Sequence, residues 1–430
     1  MYKFEIDGGV PLSGKVSLVG GKNSVIPVIC ATLLTKKKCV LTNVPKISDV
    51  RVLIKILKKL GSKVTYTGEN ELTIHNLNIH YDPSILSDFK YLRGSILFLC
   101  PLFVRLGKVR FGYPGGDRIG AREITAHLDG IRSLGGKVEF ENSHFTVSGD
   151  RIGSNIFLYE PSVTATENLV MLAVLTKGIT VIENAACEPH VADLCRMLVD
   201  MGASISGIGT NYLKIKGIES LSGVEHNIPI DYIEVANYLV FALVTGGDIT
   251  VFNIIPNELK SVLYVFEKFN VLYEISEVEG TFNIRIPPEQ NLYFRKDIGF
   301  NNLGIYTNPF PGFPTDLLSV VISLALHVKG NILFFEKMYE DRLKFALSFN
   351  KMGGRVKLLD SHRIMVLGPS NLIGRFLHPN DIRAATAYLS AALSAKGKSQ
   401  LYGVEHLDRA YPRIEKTLQK LGGKIKRVRL

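Results

Sequence analysis

The chain repeats one phrase of apolar and polar positions six times. Each copy is an alternating apolar strand, a loop, apolar residues at helical spacing, a glycine-type stop and a further strand. The first copy begins at 39–44 and reaches Leu60-Gly-Ser-Lys-Val64. The second runs from 108–111 to Leu134-Gly-Gly-Lys-Val138, and the third from 179–184 to Met201-Gly-Ala-Ser-Ile205. The last three begin at 249–253, 331–335 and 399–402 and stop at Asn270, Gly353 and Gly422. Val52, Leu53, Ile56, Leu57 and Leu60 form one apolar stripe, so the helix after the first strand is amphipathic and lies outside a core. Gly61, Gly135, Gly202, Gly353 and Gly422 fit a left-handed residue that ends a helix, and Asn270 is the next-best choice for that conformation.

A second helix precedes each copy, over 23–34, 92–104, 166–175, 234–244, 314–327 and 381–393. These stretches are apolar almost throughout, which predicts burial on all sides. The spacing of roughly 70 residues is too long for a solenoid, whose repeats run about 20–45. Two closed groups of three units are the expectation. Residues 22–231, with the loop 113–122, form one domain, and 1–21 plus 232–430 form the other. The first strands, 3–6 and 15–19, are expected to close the second domain, with chain crossings near 20 and 230.

Composition narrows the classes. With 46% hydrophobic and 21% charged residues the chain is globular rather than disordered. The net charge of +11 is spread in short lysine groups, without the arginine and aromatic interleaving of a nucleic-acid surface. Five cysteines lack a C-x-x-C pair, which speaks for reduced thiols, no structural zinc and a cytoplasmic setting. The longest apolar run, 95–104, is half a membrane span, so no membrane insertion is expected.

Four segments depart from what the repeat needs. Val19-Gly-Gly-Lys-Asn23 opens a buried helix with two glycines and the charge of Lys22, a candidate anion site. The segment 113–122 combines three glycines, a proline, Asp117 and two arginines. Asn308-Pro-Phe-Pro-Gly-Phe-Pro-Thr-Asp316 places Asp316 in the first turn of a buried helix, where it either complements the helix dipole or meets a ligand. Asp381 and Arg383 hold the equivalent place in the sixth unit. Arg342 and Arg409 are expected at the starts of outer helices, where a cation opposes the dipole unless it meets an anion. No Ser/His/Asp or Cys/His system, P-loop, dinucleotide fingerprint or histidine ligand spacing is present. Cationic groups for a phosphate–carboxylate substrate and a few carboxylates for proton transfer remain.

These segments resemble the enolpyruvyl transferases that act on UDP-N-acetylglucosamine. The likeness rests on Leu12-Ser-Gly-Lys-Val16, Gly21-Lys-Asn23, Asn43-Val-Pro-Lys46, Pro114-Gly-Gly116, Ile119-Gly-Ala-Arg122, Ile182-Glu-Asn-Ala-Ala186, Phe313-Pro-Thr-Asp316 and Asp408-Arg409, in one order over the whole chain. The resemblance implies an α/β (α+β) fold of two inside-out αβ prism domains closing over an interdomain cleft, with no metal and no cofactor. It implies that phosphoenolpyruvate and UDP-N-acetylglucosamine are the substrates, in the first committed step of peptidoglycan synthesis. Lys22, Arg122 and Arg409 correspond to the phosphoenolpyruvate contacts, Asn23 to a sugar contact, and Arg93 and Arg342 to the same charged cleft. Nucleotide contacts fall on Arg122, Glu123, Ile124, Thr125 and Ala126, on Ser162 and Val163, and on Met338. Asp316 matches the acid beside the sugar 3-hydroxyl, and Asp381 and Arg383 are counted with the substrate-binding set. Lys22, Asp117, Asp316 and Arg409 form the catalytic set.

The chain also departs from that pattern. Asp117 stands where the family usually keeps a reactive cysteine, and an aspartic acid gives a proton only after taking one up. Glu160, Cys187 and Tyr232 stand where basic residues are common, and Val235-Ala-Asn237 replaces a usual Thr-Gly-Thr. Enolpyruvyl transfer to shikimate 3-phosphate and a ring-forming nucleic-acid clamp are the alternatives.

Overall fold

The computed structural model describes residues 2–117, 119–295 and 304–430. The chain divides into two compact units, one of Met1–Leu18, Asp117–Ala121 and Ile230–Leu430, the other of Val19–Gly116 and Arg122–Pro229. Each unit has its own hydrophobic core.

The second-named unit contains three sheets. The strands Lys38–Thr42, Lys63–Gly68 and Glu71–His75 form an antiparallel set, to which Glu225–Asn227 adds in parallel. Ile179–Glu183, Ser204–Ser206 and Tyr212–Lys216 repeat this plan with Asn155–Phe157 as the parallel strand. The middle sheet has three strands, Lys108–Gly112, Lys137–Glu141 and His144–Ser148. Inside lie the helices Lys22–Ala31 and Val163–Ala173, both packed against the 3-10 segment Arg93–Phe98 that runs on into the helix Leu99–Leu106.

The other unit repeats the plan. Tyr2–Asp7 pairs with Lys398–Leu401 and Lys424–Arg429, and Ser13–Val16 adds in parallel to Asp248–Ile254. The first two strands of the chain therefore complete sheets whose remaining strands come from the second half of the sequence. The helices Tyr232–Thr245, Thr315–Ala325 and Ile382–Ser394 pack against one another at the centre. Every residue from Tyr232 to Val244 is buried, polar Glu234 and Asn237 included. A buried Leu, Val or Phe at such a position contributes about 1.5–3 kcal/mol, so the continuous apolar run holds the unit together.

The stops behave as the sequence predicts. Gly61, Gly135, Gly202, Gly353 and Gly422 have φ of 92°, 91°, 104°, 93° and 93°, and Asn270 has φ of 56°. The outer helices are Ser48–Lys59, Thr125–Ser133, Pro189–Asp200, Lys260–Lys268 and Ile414–Lys420, with one exception in the fifth unit. There Lys344–Met352 is a 3-10 helix. Leu343, Ala346, Phe349 and Met352 are buried at intervals of three, and three residues per turn keeps them on one line.

Candidate active site

In the unit built from Val19–Gly116 and Arg122–Pro229, Gly21 caps the interior helix Lys22–Ala31, with Lys22 and Asn23 as its first residues. Lys22 Nζ lies 3.0 Å from the carboxylate of Asp49, which is only 4% exposed and sits in the first turn of Ser48–Lys59. Sequence reading missed Asp49, since an acid in a helix's first turn is an ordinary dipole partner.

The segment after Gly112 packs against Phe89–Tyr91 and Arg93. Gly115 N–H donates to the carbonyl of Phe89 at 3.1 Å. A Cβ on Gly115 would stand 1.8 Å from the carbonyl oxygen of Lys90, and one on Gly116 would stand 2.8 Å from Cβ of Arg93. This close approach is why the loop needs its paired glycines. Arg93 donates to the carbonyl of Glu123 at 2.7 Å, and the Arg122 guanidinium stands 3.4 Å from the same Gly116 Cβ position. Arg118 lies outside the described residues.

Thr125 and Ala126 begin the helix Thr125–Ser133 behind Ile124, and Ser162 caps the helix whose first residue is Val163. Thr125 Oγ1 donates to the Glu123 carboxylate at 3.0 Å. The two helix starts are joined by His127, whose Nε2 is 3.2 Å from Thr164 Oγ1 and whose Nδ1 is 2.9 Å from Asn168 Nδ2. Asn168 is a donor there, so Nδ1 accepts and Nε2 carries the proton. Burial first, then Arg93, hold His127 down to about 3 and therefore neutral. Paired N-termini with their free N–H groups suit a phosphate-bearing ligand.

The second group of side chains lies in the other unit. Asp316, on the first turn of Thr315–Ala325, receives Arg342 at 2.7 Å and also pairs with Arg383. Arg342 is 3% exposed. Burial pushes the Asp316 carboxyl up, but Arg383 and Arg342 outweigh it and hold the group well below the usual carboxylate range. Burial likewise works against charge on Arg383, and Asp316 leads the groups that keep it protonated. Asp381 is 5% exposed and accepts from the backbone N–H groups of Arg383 and Ala384 at 2.7 and 2.9 Å. It is the helix cap that fixes where Arg383 emerges. Met338 is partly exposed, and its N–H donates to Glu336 at 2.8 Å. Glu336, not singled out from the sequence, also receives Thr315 Oγ1 at 2.5 Å and so braces the Asp316 turn.

Asp117 meets Arg409 at 2.6 Å, both side chains being largely covered. Nearby, Ala121 N–H donates to the Glu340 carboxylate at 3.0 Å. Arg409 does not begin an outer helix, contrary to the expectation. It lies between Val404–Leu407 and Ile414–Lys420, because Pro412 cannot continue a helical ladder and Arg413 turns at φ 61°. Its partner is a carboxylate rather than a helix dipole. Arg342 likewise precedes Leu343, the residue that caps a 3-10 helix, and finds its charge balance in Asp316.

Among the described residues no cluster of three or more His, Cys, Asp or Glu is placed to hold a metal ion, and no helix is long and apolar enough to cross a membrane. Five thiols are free, and burial pushes Cys39 up to about 11 and Cys195 to about 12.

Residues 6–418 match the family described as EPSP synthase (3-phosphoshikimate 1-carboxyvinyltransferase). The chain belongs to the enolpyruvyl transferase family. Among curated relatives, the UDP-N-acetylglucosamine 1-carboxyvinyltransferase of Borreliella burgdorferi is 39% identical over 430 residues, all of both chains. The enzyme of the same name from Treponema denticola is 37% identical over 427 residues, 99% of each. Among solved structures, the enolpyruvyl transferase NikO from Streptomyces tendae has a TM-score of 0.86 at 22% identity, over 99% of each chain. EPSP synthase from Acinetobacter baumannii has a TM-score of 0.76 at 17% identity over the full length of both. These two likenesses establish the shared mixed α/β architecture of an enolpyruvyl transferase.

Proposed function

We propose that this chain transfers the enolpyruvyl group of phosphoenolpyruvate to the 3-hydroxyl of UDP-N-acetylglucosamine and releases phosphate. The observation that carries the reading is identity of 37–39% along the full length with enzymes named for that reaction. On this reading the reaction is cytoplasmic and opens peptidoglycan synthesis.

The side chains divide the work by charge. Lys22, Arg122 and Arg409 hold the phosphate and carboxylate of phosphoenolpyruvate, with Arg93 adding positive potential. Asn23 contacts the sugar. Glu123, Ile124, Thr125, Ala126, Ser162 and Val163 receive the nucleotide at the paired helix starts, and Met338 borders it. Asp117 delivers a proton to the methylene carbon, which leaves an oxocarbenium-like centre at C2. The sugar 3-hydroxyl adds there, giving a tetrahedral phosphate ketal. Loss of phosphate and of a proton from the new methyl restores the double bond. Asp316, kept ionised by Arg342 and Arg383, accepts a hydrogen bond from the attacking hydroxyl and aims its lone pair at C2. That pairing makes it a weak base, so orientation is its main part, and its carboxylate takes the hydroxyl proton only as C–O bond formation makes that proton strongly acidic. Proton transfer by a placed acid is worth roughly 100- to 10,000-fold.

Phosphate release measured with phosphoenolpyruvate and each acceptor tests the reading. Turnover with UDP-N-acetylglucosamine and none with shikimate 3-phosphate is expected. The reverse preference transfers the chain to the EPSP synthase reaction. Salt-dependent DNA binding without phosphate release favours the clamp.

A further inference from the structure

Asn237, Thr386 and Tyr411 are buried polar residues that the proposed chemistry does not use. Asn237 lies on the interior helix Tyr232–Thr245, Thr386 lies on Ile382–Ser394, and Tyr411 follows Arg409 by two residues. Asn237 Nδ2 donates to Tyr411 Oη at 2.5 Å, and Tyr411 Oη stands 3.3 Å from Thr386 Oγ1. Thr386 spends its own proton on the carbonyl of Ile382 at 3.0 Å. Its oxygen therefore accepts from Tyr411, and the chain runs from the Asn237 amide through two hydroxyls to Ile382 with every link satisfied.

The segment between Val404–Leu407 and Ile414–Lys420 is held at its other edge too. Arg427 grips Asp408 through two hydrogen bonds of 2.8 and 2.6 Å and reaches Glu415 at 3.0 Å. Arg409 is thus set between two pinned neighbours, Asp408 and Tyr411. The far end of the hydrogen-bond chain is Ile382, the residue before Arg383, which pairs with Asp316. A ring in a core needs no hydroxyl, whereas a link between two functional segments does.

We propose that the Asn237–Tyr411–Thr386 hydrogen-bond chain is a positioning device, centred on Tyr411, that fixes Arg409 relative to the Asp316–Arg383 pair. This rests on the enolpyruvyl-transfer reading, in which Arg409 holds phosphoenolpyruvate and Asp316 orients the accepting hydroxyl. The chain then sets how the reacting carbon meets the attacking oxygen. Reacting atoms must approach to about 3–3.5 Å, and a misplacement of about 1 Å can cost on the order of 100-fold in rate.

Tyr411→Phe in the full chain keeps the ring and removes the hydroxyl. With rates normalised to the folded fraction, kcat is expected to fall roughly 10- to 100-fold. KM for phosphoenolpyruvate should rise while KM for the nucleotide sugar stays put. Thr386→Val should give the same signature, and adding it to Tyr411→Phe should cost little more. Wild-type kcat and KM in Tyr411→Phe, a loss no larger than the loss of folded protein, or additive losses in the double variant would overturn the proposal. Should Tyr411→Phe not fold, the Thr386 pair decides: Thr386→Ser must retain the activity that Thr386→Val loses, and equal behaviour rejects the device. A wild-type chain that releases no phosphate from the two substrates rejects the functional reading and this device with it. An active wild type with an indifferent Tyr411→Phe rejects the device alone.

Discussion

Asp117 Oδ1 accepts a hydrogen bond from Arg409 Nη1 at 2.6 Å, joining residues 292 apart in sequence. Both groups are assigned to phosphoenolpyruvate in the proposed reaction, so substrate anions must compete with Asp117 for the guanidinium. Asp117→Asn keeps the size and abolishes the acid. Its kcat should fall by roughly 100-fold or more, while KM for phosphoenolpyruvate should not rise. Steady-state kinetics in both substrates separates the two effects. An Asn variant with unchanged kcat shows that the residue serves the loop and not the proton transfer.

The same position governs inhibition. Antibiotics that mimic phosphoenolpyruvate and alkylate a thiol have no thiol at residue 117. Burial raises the pKa of Cys30, Cys39, Cys100, Cys187 and Cys195 alike, which keeps these thiols poor nucleophiles. Incubation with such an inhibitor should leave activity unchanged over time, and intact-protein mass should show no adduct. Asp117→Cys should acquire both time-dependent loss and a single adduct. Adduct formation on the wild-type chain would reject the expectation.

What the sequence made legible follows from how local each feature is. The stops at Gly61 and Asn270 and the buried helices over 22–31 and 232–245 obey propensity and periodicity within one repeat, and the structure has them in place. The 3-10 form of Lys344–Met352 was hidden because the buried Phe345, Phe349 and Met352 also fit the i, i+4, i+7 spacing of an α-helix. The charge pairs were out of reach for another reason. Lys22–Asp49 joins the inner and outer helices of one unit across 27 residues, and Asp316–Arg383 and Asp117–Arg409 join different repeats, so no spacing rule connects such partners. For Arg409 the helix-start reading failed locally as well, since Tyr411-Pro412 already argued against a helix there.

Asp316 ties two arginines, and each removal has a different signature. Asp316→Asn leaves Arg342 and Arg383 facing a neutral amide in a mostly covered place. Asp316 itself is 34% exposed, so solvent softens the penalty, and a loss of about 1–3 kcal/mol is expected. Denaturant titration should show it as a lower midpoint with an unchanged slope. Activity should fall much further than this stability loss explains, because the hydroxyl loses its ionised acceptor. An equal loss of activity and of folded protein would assign Asp316 a structural part only.

His127 supplies a pH test that needs no substrate. Its folded-state value near 3 lies below the unfolded value of about 6.5, so the unfolded chain takes up the proton first as pH falls. Stability from the neutral ring is complete above about pH 6.5 and is lost progressively toward pH 3, by at most about 1.4 kcal/mol per pH unit for one proton. The geometry gives the cause, since a protonated Nδ1 would face the Asn168 amide as donor against donor. His127→Gln can still accept from Asn168 and donate to Thr164 but cannot titrate. Between pH 6.5 and 4 its unfolding free energy should fall less steeply than that of the parent. His327, which burial holds down to about 4, titrates in both proteins, so the difference between the two curves isolates His127. Parallel curves would show that His127 does not remain neutral in the folded chain.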